Sequence, residues 1–291
     1  MLLSIKCLWG TGIMQVNTVD CRADDAAKQF TESLRGTGFA ILKHHPIDTT
    51  LVEQVYADWA RFFASPNKRE YLFDPDDQDG FFPYLSENAK DAAEKDLKEF
   101  FHYYPWGKCP DFLRADTDRL YKQLRALASI LLGWVEENSP KKVRKGYSMG
   151  LSDMIDDSPT TLMRIINYPA LKGDEQPNAI RAAAHEDINL LTCLVASTAP
   201  GLQVQDVQGN WHDVSCDSGN IAVNVGDMLA MCSGHYFPSS THRVVNPQGA
   251  DSRKARMSIP LFLHPRSEVV LADNYTAGSY LQERLEAIGL K

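Results

Sequence analysis

No two cysteines of this chain are separated by two residues, although there are six: Cys7, Cys21, Cys109, Cys193, Cys216 and Cys232. Nor do they cluster as the disulfide framework of a small secreted domain does. Reduced thiols and a cytoplasmic setting are therefore expected. No run approaches the roughly 18 apolar residues of a membrane-spanning helix. Positive charge is in deficit, with 30 Lys and Arg against 38 Asp and Glu and a formal net charge of -8, which disfavours nucleic acid or an anionic membrane as partner. The glycine pairs Gly10/Gly12 and Gly36/Gly38 lack the third glycine or alanine of a dinucleotide loop, and there is no phosphate loop. The stretch "GYSMG", from Gly146 to Gly150, has the outline of a nucleophile elbow. The buried strand before it and the helix after it are missing, so Ser148 is not read as a nucleophile. The opening "MLLSIKCLWGTGIMQV" has neither a basic leader nor a small-residue cleavage site and reads as a loose arm or first strand.

What is present is an ordinary globular composition, 44% apolar and 23% charged over 291 residues. The first third reads as helices separated by short strands. "GFAILKHH" is strand-like. Leu51, Val55, Trp59 and Phe62 recur at helical spacing, and Pro66 stops the run. Leu120, Leu124, Leu127, Leu131 and Trp134 form the stripe of a long helix for which Thr117 is the expected N-cap. After Pro159 short apolar runs alternate with turns, as in an antiparallel sandwich or barrel. A last helix is expected over about Tyr280 to Ile288. These textures divide the chain into 1–115, 116–158, 159–267 and 268–291, regions of one integrated unit because no flexible linker separates them.

The stretch "HEDINLLTCL", from His185 to Leu194, is polar at its head and apolar in its body. Read as one extended strand, it puts His185 and Asp187 on the same face and Glu186 on the other. An imidazole and a carboxylate converging there supply two ligands for a divalent cation. The downstream histidines able to give a third are His212, His235, His242 and His264. His212 sits in a hairpin, His264 abuts Pro265, and His235 lies in the polar loop "SGHYFPSS". His242 opens the apolar strand "THRVVNP", where regular structure would hold it rigidly.

In "RMSIPLFL", Arg256 and Ser258 share a strand face. A cation in an otherwise apolar strand is costly unless it meets an anion. That anion is either an acid of the protein or the carboxylate of a ligand, for which an arginine fork is well shaped.

The set His185-x-Asp187, His242, Arg256-x-Ser258 resembles the isopenicillin N synthase-like family of non-haem Fe(II)/2-oxoglutarate-dependent dioxygenases. The segments "GFAILKHHPI", "INYPAL", "GLQVQDVQGNWHDV", "VNVGDML" and "STHRVVNP" follow the family's order. The interval from His242 to Arg256 is somewhat long for the family, and the extra residues fall in the polar turn "PQGADSRK". The resemblance implies an α+β fold, a double-stranded β-helix (jelly roll) with surrounding helices. It implies that His185, Asp187 and His242 bind Fe(II), and that Arg256, Ser258 and Tyr168 hold the distal carboxylate of the cosubstrate 2-oxoglutarate. No catalytic side chain beyond the metal ligands is implied. Asn167 falls on the opposite strand face from the asparagine of many plant members and is not carried over. The implied reaction uses O2, releases succinate and CO2, and oxidises an unactivated C–H bond of a small molecule by hydroxylation, desaturation or cyclisation. The alternatives are an oxidase that needs no 2-oxoglutarate and a metal-binding sensor on a dead barrel. Strand parity also turns Arg164 towards the same face as Tyr168, where it would meet a carboxylate or similar anion on the substrate.

Overall fold

The computed structural model describes residues 15–87, 94–273 and 275–287. The reading of residues 1–14 as an arm or strand lies outside them. In chain order the strands are β1 (Thr18–Asp20), β2 (Phe39–Lys43), β3 (Gly80–Phe82), β4 (Glu99–Tyr103), β5 (Leu162–Tyr168), β6 (Ala182–His185), β7 (Leu191–Val195), β8 (Leu202–Gln205), β9 (Trp211–Asp213), β10 (Ile221–Val225), β11 (His242–Val244) and β12 (Arg256–Leu263), followed by a short hairpin. Eight form a major sheet in the order β1-β2-β10-β7-β12-β5-β4-β3, and four form a minor sheet, β6-β11-β8-β9. The two sheets enclose a jelly-roll core.

Alternation along the major sheet assigns each residue to one of two cores. Met163 and Ile165 of β5, Cys193 and Val195 of β7, Val223 of β10, and Ile259 and Leu261 of β12 point outward. There they pack beneath the helices α1 (Ala26–Thr37), α2 (Thr49–Ala64) and α3 (Asp111–Asn138). Ile166 and Tyr168, Phe100 of β4, Phe39 and Ile41 of β2 and Ala222 point inward and meet Ala182, Leu202, Val204 and Val244 of the minor sheet. The outer core carries the aliphatic bulk. The inner face is where polar side chains interrupt the apolar pattern, so the site lies there.

The helices follow local rules. Asp48 caps α2, its carboxylate accepting from Thr50 N at 3.0 Å and Leu51 N at 3.2 Å. Leu51, Val55, Trp59 and Phe62 form its buried stripe, and the helix stops at Ser65 before Pro66. The expectation of an N-cap at Thr117 is corrected: α3 starts at Asp111 after Pro110, and Thr117 is buried inside it. Its hydroxyl accepts the Trp59 indole N–H at 3.0 Å, so tertiary packing claims the side chain that local chemistry offers as a cap. The last helix starts at Ala277, before the expected Tyr280, and is described to Ala287, while Ile288 lies outside the described residues. No helix among the described residues is long and apolar enough to cross a membrane. Of the six cysteines, the five that are described are free.

Candidate metal and cosubstrate site

The stretch "HEDINLLTCL" is not one strand. β6 ends at His185, β7 begins at Leu191, and the two belong to different sheets. Between them the chain crosses from the minor to the major sheet. Asp187 thus sits on the crossing rather than on a strand rim. Backbone bonds clasp the crossing: Asp227 N donates to Asp187 O at 2.7 Å and Gly226 N to Leu190 O at 3.0 Å. Gly226 is needed for this contact, since a Cβ there would lie 2.2 Å from Asn189 O. Glu186 accepts the Thr241 hydroxyl at 2.9 Å.

His242 of β11 is directly opposite His185 in the antiparallel pair. The ring centroids are 4.4 Å apart. Nε2 of His185 lies 3.9 Å and Nε2 of His242 3.8 Å from Asp187 Oδ1. One ligand atom from each of the three residues falls within 4.8 Å of the others. The remaining atoms are fixed from behind. Nδ1 of His185 donates to Ala183 O at 2.7 Å, and Nδ1 of His242 to Ser240 O at 3.1 Å. Asp187 Oδ2 accepts from Thr192 Oγ1 at 2.5 Å and Asn224 Nδ2 at 2.7 Å. Each ligand therefore turns one unengaged atom to a common point, and outer partners orient it. Burial and the neighbouring His242 push the His185 pKa down to about 4. Burial alone would raise the Asp187 pKa, but the two imidazoles and the Asn224 and Thr192 bonds hold it below the usual carboxylate range. A neutral imidazole and an ionised carboxylate are the forms that bind a divalent ion. The donor set fits iron and leaves coordination positions open.

Of the rival histidines, His212 bonds Asp206 at 2.7 Å on the β8–β9 hairpin. His235 is exposed, with a positive φ of 60°, and is no part of the cluster. Ser148, in "GYSMG", is exposed and donates to Val270 O at 2.8 Å.

Arg256 opens β12 opposite Tyr168, and Ser258 is opposite Ile166. Both point to the inner face, as their spacing predicts. The Arg256 side chain is 1% exposed. Its Nε donates to Ala199 O at 2.9 Å and its Nη2 to Ser197 Oγ at 2.7 Å. Nη1 has no partner, and the guanidinium carbon lies 5.1 Å from the centre of the Tyr168 ring. Among the described residues no carboxylate pairs with it. Of the two anions that the sequence leaves open, an internal acid is absent, and the guanidinium is open to a ligand carboxylate.

Comparison with known proteins gives a consistent result. Residues 160–265 match the 2OG-Fe(II) oxygenase superfamily, and residues 14–126 match the N-terminal region of non-haem dioxygenases in morphine synthesis. A crystal structure of a Shewanella oneidensis protein described as an oxygenase is 51% identical, covers 95% of this chain and 100% of that one, and superposes with a TM-score of 0.86. The chain belongs to the 2OG-Fe(II) oxygenase superfamily. Clavatol oxidase of Penicillium crustosum is 26% identical over 91% of this chain and 87% of its own length. Isopenicillin N synthase of Streptomyces jumonjinensis is 24% identical over 95% and 96%. The protein is thus an Fe(II)- and 2-oxoglutarate-dependent oxygenase with O2 as the usual co-substrate.

Beside the triad the oxygenase has a cavity of about 480 Å³ that reaches His185 and Asp187. Leu162, Tyr104, Trp106, Phe262 and Ile188 supply apolar wall, and His264 also faces it. Burial lowers the His264 pKa to about 4. Arg164 lines the cavity, on the face its parity predicts, but its fork is already engaged. Nη1 and Nη2 bond the two oxygens of Glu87 at 3.2 and 3.4 Å, and Nε donates to His102 Nε2 at 2.9 Å. His102 Nδ1 donates in turn to Gln78 O at 2.8 Å, which is the neutral tautomer. Burial and Arg164 depress its pKa well below the usual value. Lys98 bridges Glu87 at 2.7 Å and Asp96 at 2.8 Å. Burial alone would raise the Glu87 pKa, but Arg164 and Lys98 hold it well below the usual range. Asp96 also accepts Ala183 N at 2.9 Å, on the strand that carries His185. Glu87, Asp96, Lys98 and His102 are missed by the sequence reading. For Asp96, Lys98 and His102 the signal is the density of charge within "KDLKEFFHYY", which is too polar for a strand packed on both faces; Glu87 lies outside that stretch and carries no such signal. Asn167 takes the outer face and donates to Glu99 Oε1 at 2.9 Å.

Proposed function

We propose that His185, Asp187 and His242 are the iron ligands, that Arg256, Ser258 and Tyr168 hold the distal carboxylate of 2-oxoglutarate, and that the adjoining cavity takes a small-molecule substrate whose unactivated C–H bond is oxidised. The bound iron, 2-oxoglutarate and O2 supply the oxidising power, with release of succinate and CO2. The side chains orient and exclude water. Thr192 and Asn224 keep Asp187 Oδ1 turned to the metal, and the apolar wall shields the reacting carbon. The observation that carries the reading is the buried Arg256 guanidinium, with no acid among the described residues to meet it, on the same inner face as the cavity. Anaerobic reconstitution with Fe(II), followed by O2 and a metabolite library, tests it. Substrate-dependent succinate release is expected. Oxygen consumption that never requires 2-oxoglutarate would overturn it in favour of an oxidase.

Arg164 has a narrower role than a free cation. Three of its five N–H groups are used. The other two are left to donate to an acceptor on the substrate, a carboxylate or carbonyl oxygen, while Glu87 balances the charge. Arg164→Met is expected to raise the Michaelis constant for the substrate and leave iron and 2-oxoglutarate affinity unchanged. It also removes one of the two cations at Glu87, which lowers stability by about 1–3 kcal/mol. Unchanged substrate kinetics would remove Arg164 from the substrate site.

A further inference from the structure

Arg181 stands just before β6, 1% exposed. It enters neither the family motif nor the sequence reading above. Its Nη2 donates to Lys254 O at 2.9 Å, beside the start of β12. Its Nε is buried without a partner. Its guanidinium carbon lies 5.9 Å from the centre of the Tyr168 ring, the ring that Arg256 approaches to 5.1 Å. Neither arginine forms an ion pair among the described residues; their partners are main-chain carbonyls and one hydroxyl. Two positive charges are therefore buried around one tyrosine with no protein anion between them, each with an unsatisfied N–H. Burial, reinforced by Arg256, lowers the Arg181 pKa, the sign expected of like charges held together without a counter-ion. Such an arrangement is costly unless an anion completes it. An anion that met Arg256 alone would leave the second charge and its N–H uncompensated. A carboxylate has two oxygens, enough for one bond to each arginine.

We propose that Arg181 is a second cosubstrate-binding residue, sharing the distal carboxylate of 2-oxoglutarate with Arg256. The proposal rests on the reading of Arg256 as the anchor of that carboxylate. It differs from a structural role for Arg181 in what the two ends of the cosubstrate should feel. Oxalate carries the metal-chelating head and no distal carboxylate, so it serves as the control probe.

The test is anaerobic calorimetric titration of the full-length, Mn(II)-loaded protein with 2-oxoglutarate and, separately, with oxalate. Arg181→Gln is expected to weaken 2-oxoglutarate by about tenfold to a hundredfold and to leave oxalate within about twofold of wild type. Arg181→Lys, which keeps the charge, should recover part of the loss and gives a readout where the glutamine variant does not fold. Equal losses for both probes would make Arg181 a structural residue and overturn the proposal, as would unchanged 2-oxoglutarate affinity in either folded variant. Wild-type protein that binds oxalate but not 2-oxoglutarate would overturn this proposal together with the reading on which it rests.

Discussion

Asp187→Ala is expected to abolish Fe(II) binding measured by anaerobic titration, and His185→Ala and His242→Ala to weaken it severely. Asp187 supplies the single negative charge of the set, and its second oxygen is committed to Thr192 and Asn224, which hold the first towards the metal position. Thr192→Val and Asn224→Ala test the orienting shell. Each should cost roughly tenfold to a hundredfold in metal affinity, because the carboxylate then loses part of its fixed orientation. His235→Ala is the control and should bind metal as the wild type does. Loss of metal in His235→Ala with retention in His242→Ala would reverse the assignment.

The effect of Arg256→Met on cosubstrate binding should be as selective as the triad's effect on metal. Removing one partner of a buried charge-assisted bond is worth about 1.5–3 kcal/mol or more, so 2-oxoglutarate should bind about tenfold to a hundredfold more weakly with iron still in place. The same change removes a buried charge that lacks an internal acid. The apo-protein is therefore expected to melt no lower than wild type, since replacing an uncompensated buried ion with an apolar chain of similar length relieves desolvation. An Arg256→Met protein that loses iron and 2-oxoglutarate together, or that melts far lower without ligands, would mean that the arginine is part of the scaffold.

Much of this site is legible in the sequence because strand parity is a rigid rule. Arg256 with Ser258, and Arg164 with Tyr168, share the faces that their spacing assigns. The long helices are also legible, through their stripes. The break inside "HEDINLLTCL" is not. No glycine or proline marks it, and the chain changes sheets where Asp187 and Asn189 can satisfy the backbone and side-chain bonds of a turn. The cap at Thr117 fails for a related reason, since a partner distant in sequence, Trp59, outbids the local bond. Arg181 carries the same signal that singles out Arg256, a cation among apolar neighbours, and Lys98 stands in a run of alternating charges. Their segments are short, however, and what answers each charge comes from elsewhere in the chain: Glu87 for Lys98 and, for Arg181, a carbonyl of Lys254.

The division of β5 and β12 into an outward aliphatic face and an inward face that carries the site has an evolutionary consequence. Foldability is written at one set of alternate positions and specificity at the other. If the cavity takes the substrate as proposed, replacements at Leu162, Arg164 or Phe262 would alter what it accepts, while Met163, Ile165 and Leu261 pack on the helix side of the sheet. Inward positions without a hydrogen-bond or ion-pair partner, such as Leu162 and Phe262, are the ones at which a lineage built on this plan could vary the cavity with least cost to the scaffold. The 24–26% identity that joins this chain to clavatol oxidase and isopenicillin N synthase leaves ample room for change at such positions.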